Sequence, residues 1–356
     1  MMSVCQLHQR LVTQGARNLL EWLLFLVLVP CSLLYGGVSW LRNLLYDVAL
    51  FSSYRSKLPI VSVGNLVAGG TGKTPVVDFL IKEFHGRGKR PVIISRGYGG
   101  SFVGDVGVVS NGQKIFMTAE EAGDEPFLLA KKNPSCAVLI AKKRVAGVKW
   151  VEENNNADLI ILDDAFQHRA IARDVDIVLL DATRPLGNGW LLPAGSLREF
   201  KSSLKRADFL IMTRSERRKY DNFLGRPVYN SRHQLADVTV SLKGESVSVA
   251  SLKDVPLLAF AGIATTESFF SSLENSGLKL NETLSFPDHV NYRHGKVLQR
   301  LQSKTGSSEA LITTEKDAVK LSDDMFDLPC YKIAMTVGID DSNDIFNSIF
   351  EQLWSE

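Results

Sequence analysis

The residues best suited to chemistry lie in a glycine-rich turn. An apolar run at 58–63 leads into Gly69-Gly70-Thr71-Gly72-Lys73-Thr74, and a helical pattern follows. Successive backbone N–H groups of such a turn converge on phosphate oxygens, and the positive end of the helix dipole faces the same charge. Lys73 would reach the β- and γ-phosphates, and the Thr74 hydroxyl would hold Mg²⁺. Val67 stands where the usual pattern has glycine, and such a turn can be a mere tight connection, but the flanking strand and helix predict a nucleotide-binding P-loop.

A second set of polar residues follows the apolar run at 159–162. Asp163 and Asp164 end this run, and ligands bind at the carboxyl ends of strands in α/β sheets. An aspartate there commonly caps a turn or helix, but beside a P-loop one of the two is expected to bind Mg²⁺, directly or through water. Gln167 and His168 follow closely enough to face the same cleft, although a histidine here can also be a packed or capping residue.

Asp124 is the candidate general base. It lies in Gly123-Asp124-Glu125-Pro126, just before a helical pattern at 127–132. Acidic residues and proline in a first helical turn are also typical of simple capping, so both interpretations stay open for this segment alone. Phosphoryl transfer to a hydroxyl commonly uses such a base. His289, in the later segment Phe286-Pro287-Asp288-His289, would by itself be interpreted as a surface histidine.

Apolar runs alternating with helical stretches must position these residues. The runs are rich in Val, Ile and Leu without strict alternation, which indicates strands buried on both faces. They lie at 58–63, 91–95, 136–141, 159–163, 175–181 and 209–213. The pattern predicts a P-loop NTPase-like α/β fold, with a mostly parallel sheet and helices on both faces. A hairpin is predicted at 105–116, where Asn111-Gly112 lies between apolar flanks.

The alternation lapses into polar, irregular sequence at 226–240, where we expect a linker or hinge. A second, smaller α/β domain is predicted beyond it, with strands at 257–261 and 310–313 and a helix after Thr266. The length suits about two domains with separate cores. The predicted organisation is an N-terminal membrane-anchor region at 1–55, a P-loop domain at 56–232 and a smaller C-terminal α/β domain at 233–356.

An uncharged apolar run from Trp22 to Leu41 is bracketed by Glu21 and Arg42. Twenty helical residues span roughly 30 Å, about the hydrocarbon thickness of a bilayer. A signal peptide would normally have a shorter apolar region, so an N-terminal membrane helix is predicted. Pro30 and Gly36-Gly37 leave open whether it spans the bilayer or lies kinked in the interface. The basic residues on its two sides are too balanced to fix an orientation.

The charge and cysteine content give no support to several functional classes. A net charge of +2 gives no argument for a nucleic acid partner. Cys5, Cys31, Cys136 and Cys330 show no paired spacing. Neither a zinc site nor a disulfide framework is expected, which suits a reducing compartment. We therefore expect the soluble part to face the cytosol, and nothing in the sequence implies a protein partner.

Taken together, the motifs resemble those of the tetraacyldisaccharide 4'-kinase (lipid A 4'-kinase) family. The blocks that carry the resemblance occur in family order from the anchor into the second domain: Leu34-Tyr35-Gly36, 63–75, Ser95-Arg96-Gly97-Tyr98-Gly99-Gly100, 123–126, Asp163-Asp164-Ala165-Phe166-Gln167-His168, Pro193-Ala194-Gly195-Ser196-Leu197-Arg198-Glu199, 286–289 and Thr314-Glu315-Lys316-Asp317. No single block is specific, but their combination is. The resemblance implies a membrane-bound kinase that uses ATP and Mg²⁺ to phosphorylate the 4'-hydroxyl of a tetraacylated glucosamine disaccharide 1-phosphate. Its product would be lipid IVA, made at the cytosolic face of a Gram-negative inner membrane.

The resemblance also implies roles for individual residues. Asp124 would be the catalytic base, and His289 its partner in a dyad that the two domains assemble on closing. The phosphate and magnesium positions would be Lys73, Thr74, Asp163, Asp164, Gln167 and His168. Further positions fall in motifs around the cleft, without separating substrate from nucleotide contacts: Arg96, Tyr98, Arg198 and Glu199. The chain departs from the family pattern at Ala165, where glycine is usual, and at Val290, where a second histidine is common, which leaves His289 as the candidate in that motif.

A membrane-associated GTPase switch is the main alternative from another functional class. Such proteins usually carry Asn-Lys-x-Asp for guanine, and neither Thr213-Arg214-Ser215-Glu216 nor Glu315-Lys316-Asp317 matches this pattern. GTP selectivity without a lipid acceptor would favour the switch. An inactive scaffold is a third interpretation, which the many intact polar motifs disfavour.

Overall fold

The structure is a computed structural model that describes residues 7–8, 10–12, 15–216 and 218–354. Cys5 lies outside these residues. The described chain divides into two compact units. The first unit draws on the described residues of Met1–Ser95, Lys143–Arg232 and Ile339–Glu356, and the second on Arg96–Lys142 and His233–Gly338. The domain boundaries expected from sequence stay a prediction.

The described strands, numbered in chain order, are β1 (Ile60–Asn65), β2 (Pro91–Ser95), β3 (Gly107–Asn111), β4 (Ala137–Ile140), β5 (Leu159–Asp163), β6 (Val175–Asp181), β7 (Phe209–Thr213), β8 (Asn222–Phe223), β9 (Arg226–Pro227), β10 (Tyr229–Ser241), β11 (Ser246–Ser248), β12 (Leu257–Ala261), β13 (Leu280–Ser285), β14 (Ala310–Thr314) and β15 (Cys330–Ile339). The α-helices are α1 (Leu19–Asp47), α2 (Lys73–Gly86), α3 (Ala119–Ala122), α4 (Asp124–Lys132), α5 (Arg144–Asn154), α6 (Thr266–Asn275), α7 (Gly295–Gln302), α8 (Glu315–Ala318) and α9 (Ser342–Trp354).

A parallel sheet forms the core of the first unit. Its strand order is β10-β7-β6-β1-β5-β2, and each neighbouring pair runs parallel. Every residue of β1, β2 and β5 is buried, as the Val, Ile and Leu runs predict. Helices cover the sheet, and Phe84 of α2 packs against Phe346 of α9 with ring centroids 4.9 Å apart. The predicted P-loop α/β fold is confirmed.

The second unit has its own mostly parallel sheet. β13, β12, β14 and β15 run parallel in that order, β10 follows β15, and β11 pairs antiparallel with β10. A core of apolar side chains, with Phe260, Tyr292 and Leu301 at 0% exposure, packs against this sheet. β3 and β4 form an antiparallel pair in the same unit.

The segment 226–240, where a linker or hinge is expected, is mostly occupied by β10, a strand of 13 residues. Buried polar side chains of β10 are satisfied by the neighbouring strands β7 and β11: the Ser231 hydroxyl donates to the Met212 carbonyl at 3.2 Å, and the Thr239 hydroxyl donates to the Val247 carbonyl at 3.1 Å. A strand can therefore form here without an apolar run. The boundary between the two units falls inside it.

The hairpin predicted at 105–116 is also only partly formed. β3 supplies one arm, but the return arm makes a single bridge, between Ser110 and Ile115, and the ladder partner of β3 is β4. The Asn111 side chain accepts from the backbone N–H groups of Gln113 and Lys114 at 3.0 and 2.9 Å. These N–H groups are therefore committed to a local turn rather than to a ladder.

The N-terminal helix α1 extends beyond the predicted run at both ends. Asn18 caps its start by accepting from the Glu21 N–H at 2.9 Å, and Pro30 lies inside it. Among the described residues it is the helix long and apolar enough to cross a membrane by length and composition.

Candidate active site

The predicted P-loop connects β1 to α2 in the first unit. Gly69 and Gly72 have φ values of 122° and 79°. Gly72 is the N-cap of α2, so Lys73 and Thr74 are its first two residues. The free N–H groups of a helix start therefore face the loop, which is the arrangement that binds phosphate.

Side chains from two strands hold this loop, and sequence reasoning missed both. Asn65, at the end of β1, donates from Nδ2 to the Thr71 hydroxyl at 3.0 Å and to the Gly69 carbonyl at 3.3 Å. Thr213, at the end of β7, donates to the Thr71 carbonyl at 3.0 Å. The sequence feature that could have revealed Asn65 and Thr213 is their position at the carboxyl ends of strands, because polar residues there lie at the ligand-binding edge of a parallel sheet.

The two adjacent aspartates at the end of β5 have different surroundings. Asp163 is 2% exposed, and Ser95 donates to its Oδ2 at 2.9 Å. Asp164 has a φ of 51°, in the left-handed region that costs energy for a residue with a Cβ. Its Oδ1 lies 3.5 Å from the Lys73 ammonium and accepts from Arg198 at 2.9 Å. Asp164 therefore pairs directly with the P-loop lysine.

This pairing fixes the charge of Asp164. Burial raises the pKa of its carboxyl, but the charges of Lys73 and Arg198 outweigh burial and hold the pKa below its ordinary value. Arg198 also donates to Gln167 Oε1 at 3.3 Å, and Gln167 donates from Nε2 to the Asn65 carbonyl at 2.9 Å. The predicted residues Lys73, Asp164, Gln167 and Arg198 thus form one connected network.

Two other predicted residues of the first unit hold structural contacts. The His168 carbonyl accepts from Arg173 at 3.0 Å. Glu199 is 1% exposed and accepts from Arg42 of α1 at 2.6 Å and from Arg206 at 2.8 Å. Glu199 therefore fixes the segment that carries Arg198 rather than joining the network around Asp164.

The predicted dyad lies within the second unit. Asp124 is the first residue of α4 and is 8% exposed. His289 has a φ of 59°, and its Nδ1 lies 3.2 Å from Asp124 Oδ2. Both residues belong to the same compact unit.

The segment with Arg96 and Tyr98 lies beside this pair in the second unit. The Tyr98 ring contacts the His289 ring edge-on, with centroids 5.2 Å apart. Gly123, with a φ of 91°, lets the Tyr98 backbone approach Asp124, because a Cβ at Gly123 would lie 2.6 Å from the Tyr98 carbonyl oxygen. Arg96 lines a small pocket with Phe102. Close backbone packing therefore positions Tyr98 at the dyad.

Sequence reasoning missed a lysine at the dyad. The ammonium of Lys320 lies 3.1 Å from Asp124 Oδ2 and 3.4 Å from Asp317 Oδ1. Burial raises the pKa of the Asp124 carboxyl, but the His289 hydrogen bond and the Lys320 charge outweigh burial, and the pKa lies below its ordinary value. The sequence feature that could have pointed to Lys320 is its i,i+3 spacing from Asp317, the last residue of the Thr-Glu-Lys-Asp motif, because residues three apart in a helical turn are neighbours.

A second lysine ties the two dyad segments together. Lys316 lies 2.8 Å from Glu125, the neighbour of Asp124, and 3.1 Å from Asp288, the neighbour of His289. Burial lowers the pKa of the Lys316 ammonium, but the two carboxylates outweigh burial and hold the pKa above its ordinary value. Lys316 therefore bridges α4 and the turn that carries His289.

No group of three or more His, Cys, Asp or Glu side chains that could hold a metal ion occurs within 7–8, 10–12, 15–216 and 218–354. A metal held by the protein would therefore need further ligands, such as hydroxyls, phosphates or water.

Comparison with known proteins identifies the family. The family model for tetraacyldisaccharide-1-P 4'-kinase matches residues 24–353. The tetraacyldisaccharide 4'-kinase of Syntrophotalea carbinolica is 44% identical over 334 residues, covering 92% of each chain. That of Geobacter metallireducens is 42% identical over 305 residues, covering 85% of this chain and 90% of the relative. The crystal structure of LpxK from Aquifex aeolicus in complex with ATP superposes with a TM-score of 0.79 and 32% identity, over 93% of this chain and 100% of that one. The chain belongs to the tetraacyldisaccharide 4'-kinase family, the kinases of lipid A biosynthesis.

Proposed function

We propose that this kinase transfers the γ-phosphate of ATP to the 4'-hydroxyl of tetraacyldisaccharide 1-phosphate, giving lipid IVA. The observation that carries the proposal is the contact of 3.2 Å between Asp124 and His289. A buried carboxylate held by a histidine is suited to accept the proton of an attacking hydroxyl. A nucleotide switch that only hydrolyses GTP would have no need of such a base, because it activates no sugar hydroxyl.

The nucleotide side of the reaction falls to the first unit. The backbone of Gly69, Gly70, Thr71 and Gly72 would bind the phosphates, and Lys73 would offset the charge of the β- and γ-oxygens. Asp164, whose Oδ1 lies 3.5 Å from the Lys73 ammonium, holds that ammonium in place beside the loop. Arg198 and Gln167, in the same network, would position the phosphates or the metal.

Mg²⁺ would be held by Thr74, Asp163 and Asp164. A hydroxyl and two carboxylates are hard oxygen donors, which is the ligand set that Mg²⁺ prefers together with water and phosphate oxygens. The left-handed backbone of Asp164 turns the chain sharply where β5 ends, which fits a constrained functional position. When bound, the ion would neutralise charge on the nucleotide phosphates.

The acceptor side falls to the second unit. Asp124 would take the proton of the 4'-hydroxyl, and His289 would orient the Asp124 carboxylate. Tyr98, exposed at 66% and in edge contact with His289, is available to contact the sugar. Arg96 would attract anionic groups of the substrate or nucleotide.

The lipid substrate requires access from a membrane, and α1 fits a position along the membrane surface. One side of α1 is docked on the first unit: the Ser32 hydroxyl donates to the Leu191 carbonyl at 3.0 Å, and the Tyr35 hydroxyl donates to the Arg198 carbonyl at 3.0 Å. The other side exposes large apolar side chains, among them Leu19, Leu20, Trp22, Leu23, Leu26, Val27, Leu33, Leu34, Val38, Trp40 and Leu41. A helix that is polar on its docked side and apolar on its free side suits the interface rather than a full span.

We place the kinase on the cytoplasmic face of the inner membrane of a Gram-negative bacterium.

The kinase proposal is tested by transfer of labelled γ-phosphate to tetraacyldisaccharide 1-phosphate in detergent micelles, comparing the wild type with K73A. We expect labelled lipid from the wild type, with the label at the 4'-position, and loss of at least about 10²-fold in K73A. K82M is the matched control, because Lys82 lies on the same helix and is 60% exposed in an ion pair with Asp78. Nucleotide hydrolysis without labelled lipid, using substrate that a known active kinase phosphorylates, would contradict the proposal, and preference for GTP would favour the switch.

The position of α1 is tested by fluorescence quenching in vesicles. Variants retain either Trp22 or Trp40 as the single tryptophan, and quenchers are placed at known depths in one leaflet. An interfacial helix predicts shallow quenching of both residues from the leaflet to which the protein is added. Quenching of the two tryptophans from opposite leaflets would show that the helix spans the bilayer.

A further inference from the structure

Lys320 is buried beside the proposed base, in a position that the Thr-Glu-Lys-Asp motif does not include. Its side chain is 11% exposed, and its ammonium lies 5.3 Å from the centroid of the Tyr292 ring. The same oxygen of Asp124, Oδ2, lies 3.1 Å from Lys320 and 3.2 Å from His289. One carboxylate oxygen is thus shared by a cation and the dyad histidine, which leaves Oδ1 as the atom to accept a proton from substrate.

The other charged groups around Asp124 show why its contact with Lys320 matters. Asp317, with an Oδ1 3.4 Å from Lys320, adds a second negative charge to the cluster. Asp288 Oδ2 lies 3.8 Å from His289 Nε2, while Glu125 is neutralised by Lys316 at 2.8 Å. Tyr292 contributes a buried hydroxyl, whose pKa burial and Asp317 raise, so it stays neutral. Lys320 is therefore the cation in direct contact with the carboxylate of the base.

A buried carboxylate without a cation becomes protonated more easily, because desolvation disfavours its charged form. A protonated Asp124 could not accept the hydroxyl proton. An opposite charge within about 4–6 Å typically moves a carboxyl pKa by about 1–3 units. The distance of 3.1 Å between the Lys320 ammonium and Asp124 Oδ2 is shorter than this limit.

We propose that Lys320 is a positioning residue that completes an Asp124–His289–Lys320 triad: its ammonium holds Asp124 ionised and fixes Oδ2, so that Oδ1 is presented to the acceptor hydroxyl. The proposal rests on the role of Asp124 as the base. On transfer, the O–H bond of the acceptor breaks and an O–H bond forms on Asp124. The acceptor oxygen bonds to the γ-phosphorus of ATP, while the bond from that phosphorus to the β,γ-bridging oxygen breaks and its electron pair leaves with ADP.

The test is the pH dependence of kcat/KM for the lipid acceptor, measured at saturating ATP for wild type, K320M, K320R and the control K132M. In K320M we expect the acid limb to move up by about one pH unit or more, so that activity falls at a pH where the wild type is active. K320R, which restores the charge, should return the limb toward the wild-type position. Lys132 is also a mostly buried lysine of the second unit, paired with Glu315 at 2.9 Å, and K132M should keep the wild-type limb.

An active K320M with the same acid limb as the wild type would overturn the proposal, because a merely structural lysine would lower activity equally at every pH. If K320M is too unstable to assay, the thermal unfolding of D124N, K320M and D124N/K320M decides. We expect the double variant to lose less stability than the two single variants lose together, because it removes both members of a buried pair. Additive losses would overturn the proposal. A different result would show that Asp124 is not the base at all: D124N would then retain wild-type turnover.

Discussion

The Asp124 carboxylate and the His289 imidazole are 165 positions apart in the sequence and 3.2 Å apart in the structure. The start of α4 carries one, and a turn after β13 carries the other in a left-handed conformation. Lys316 fixes both segments through the carboxylates that neighbour each member of the pair. The pair is therefore built from segments of the second unit alone.

Loss of either member of this pair should impair the same step. We expect D124A to lower kcat by about 10²-fold or more, with little change in the affinity for ATP, because base loss affects the transition state. H289A should lower kcat less, since the base remains. In D124A/H289A the combined loss should be smaller than the product of the single losses, because the two act as a unit.

Single-turnover kinetics of phosphate transfer to the lipid acceptor measures these effects. H294A is the control, because His294 is an exposed histidine five positions along the same segment and should keep wild-type turnover. Strictly multiplicative losses in the double variant would argue against joint action, and an unimpaired D124A would remove Asp124 from the mechanism.

The close approach of β1 to the residues after β5 should make Gly64 sensitive to substitution. A Cβ at Gly64 would lie 2.6 Å from the Phe166 Cβ and 2.7 Å from the Phe166 backbone nitrogen, so neither strand end could stay in place. We expect G64V to lower the free energy of unfolding by about 1–3 kcal/mol, as overpacking does, and to weaken ATP binding by displacing Asp164.

Denaturant unfolding checks this expectation. G338V is the matched control, because Gly338 is an exposed glycine in β15, and a Cβ added there would meet no atom within 4 Å. A G64V protein as stable as G338V would show that β1 and the segment after β5 can separate without cost.

Local patterns explain why much of this structure was predictable. The buried strands and the P-loop depend on residues close together in sequence, such as Gly72 followed by Lys73, so both were found. The β10 strand was missed because its buried polar residues are satisfied by partners such as Met212, which no local pattern reveals. Lys320 was missed for the same reason, since its significance arises from a contact with Asp124 that is distant in sequence.

The docking of α1 should support the nucleotide site as well as membrane binding. Arg42 on α1 binds the buried Glu199, while the neighbouring Arg198 binds Asp164. In R42M, Glu199 loses one of two cationic partners. We expect the free energy of unfolding to fall by about 1.5–3 kcal/mol, the range for a hydrogen bond to a charged group, and the KM for ATP to rise as Arg198 loses its fixed position.

Vesicle sedimentation distinguishes the effect of R42M on the KM for ATP from a loss of membrane binding. R42M should bind vesicles like the wild type, because the exposed apolar side of α1 is unchanged. R55M is the control, since Arg55 is 79% exposed and lies 3.6 Å from Asp174. A KM for ATP equal to that of R55M would show that α1 serves as an anchor without supporting Arg198.

The lowered pKa of Asp124 also predicts how stability depends on pH. Because the folded pKa lies below the unfolded value of about 3.9, ionised Asp124 contributes stability that is fully present above pH ~3.9 and is lost as the pH falls through the folded pKa. D124N lacks this contribution at every pH. The difference in unfolding free energy between wild type and D124N should therefore grow as the pH rises toward ~3.9 and stay constant above it. Denaturant unfolding of both proteins over this range measures the difference. A difference that shrinks with rising pH would mean that burial outweighs His289 and Lys320, and that Asp124 is held in its protonated form.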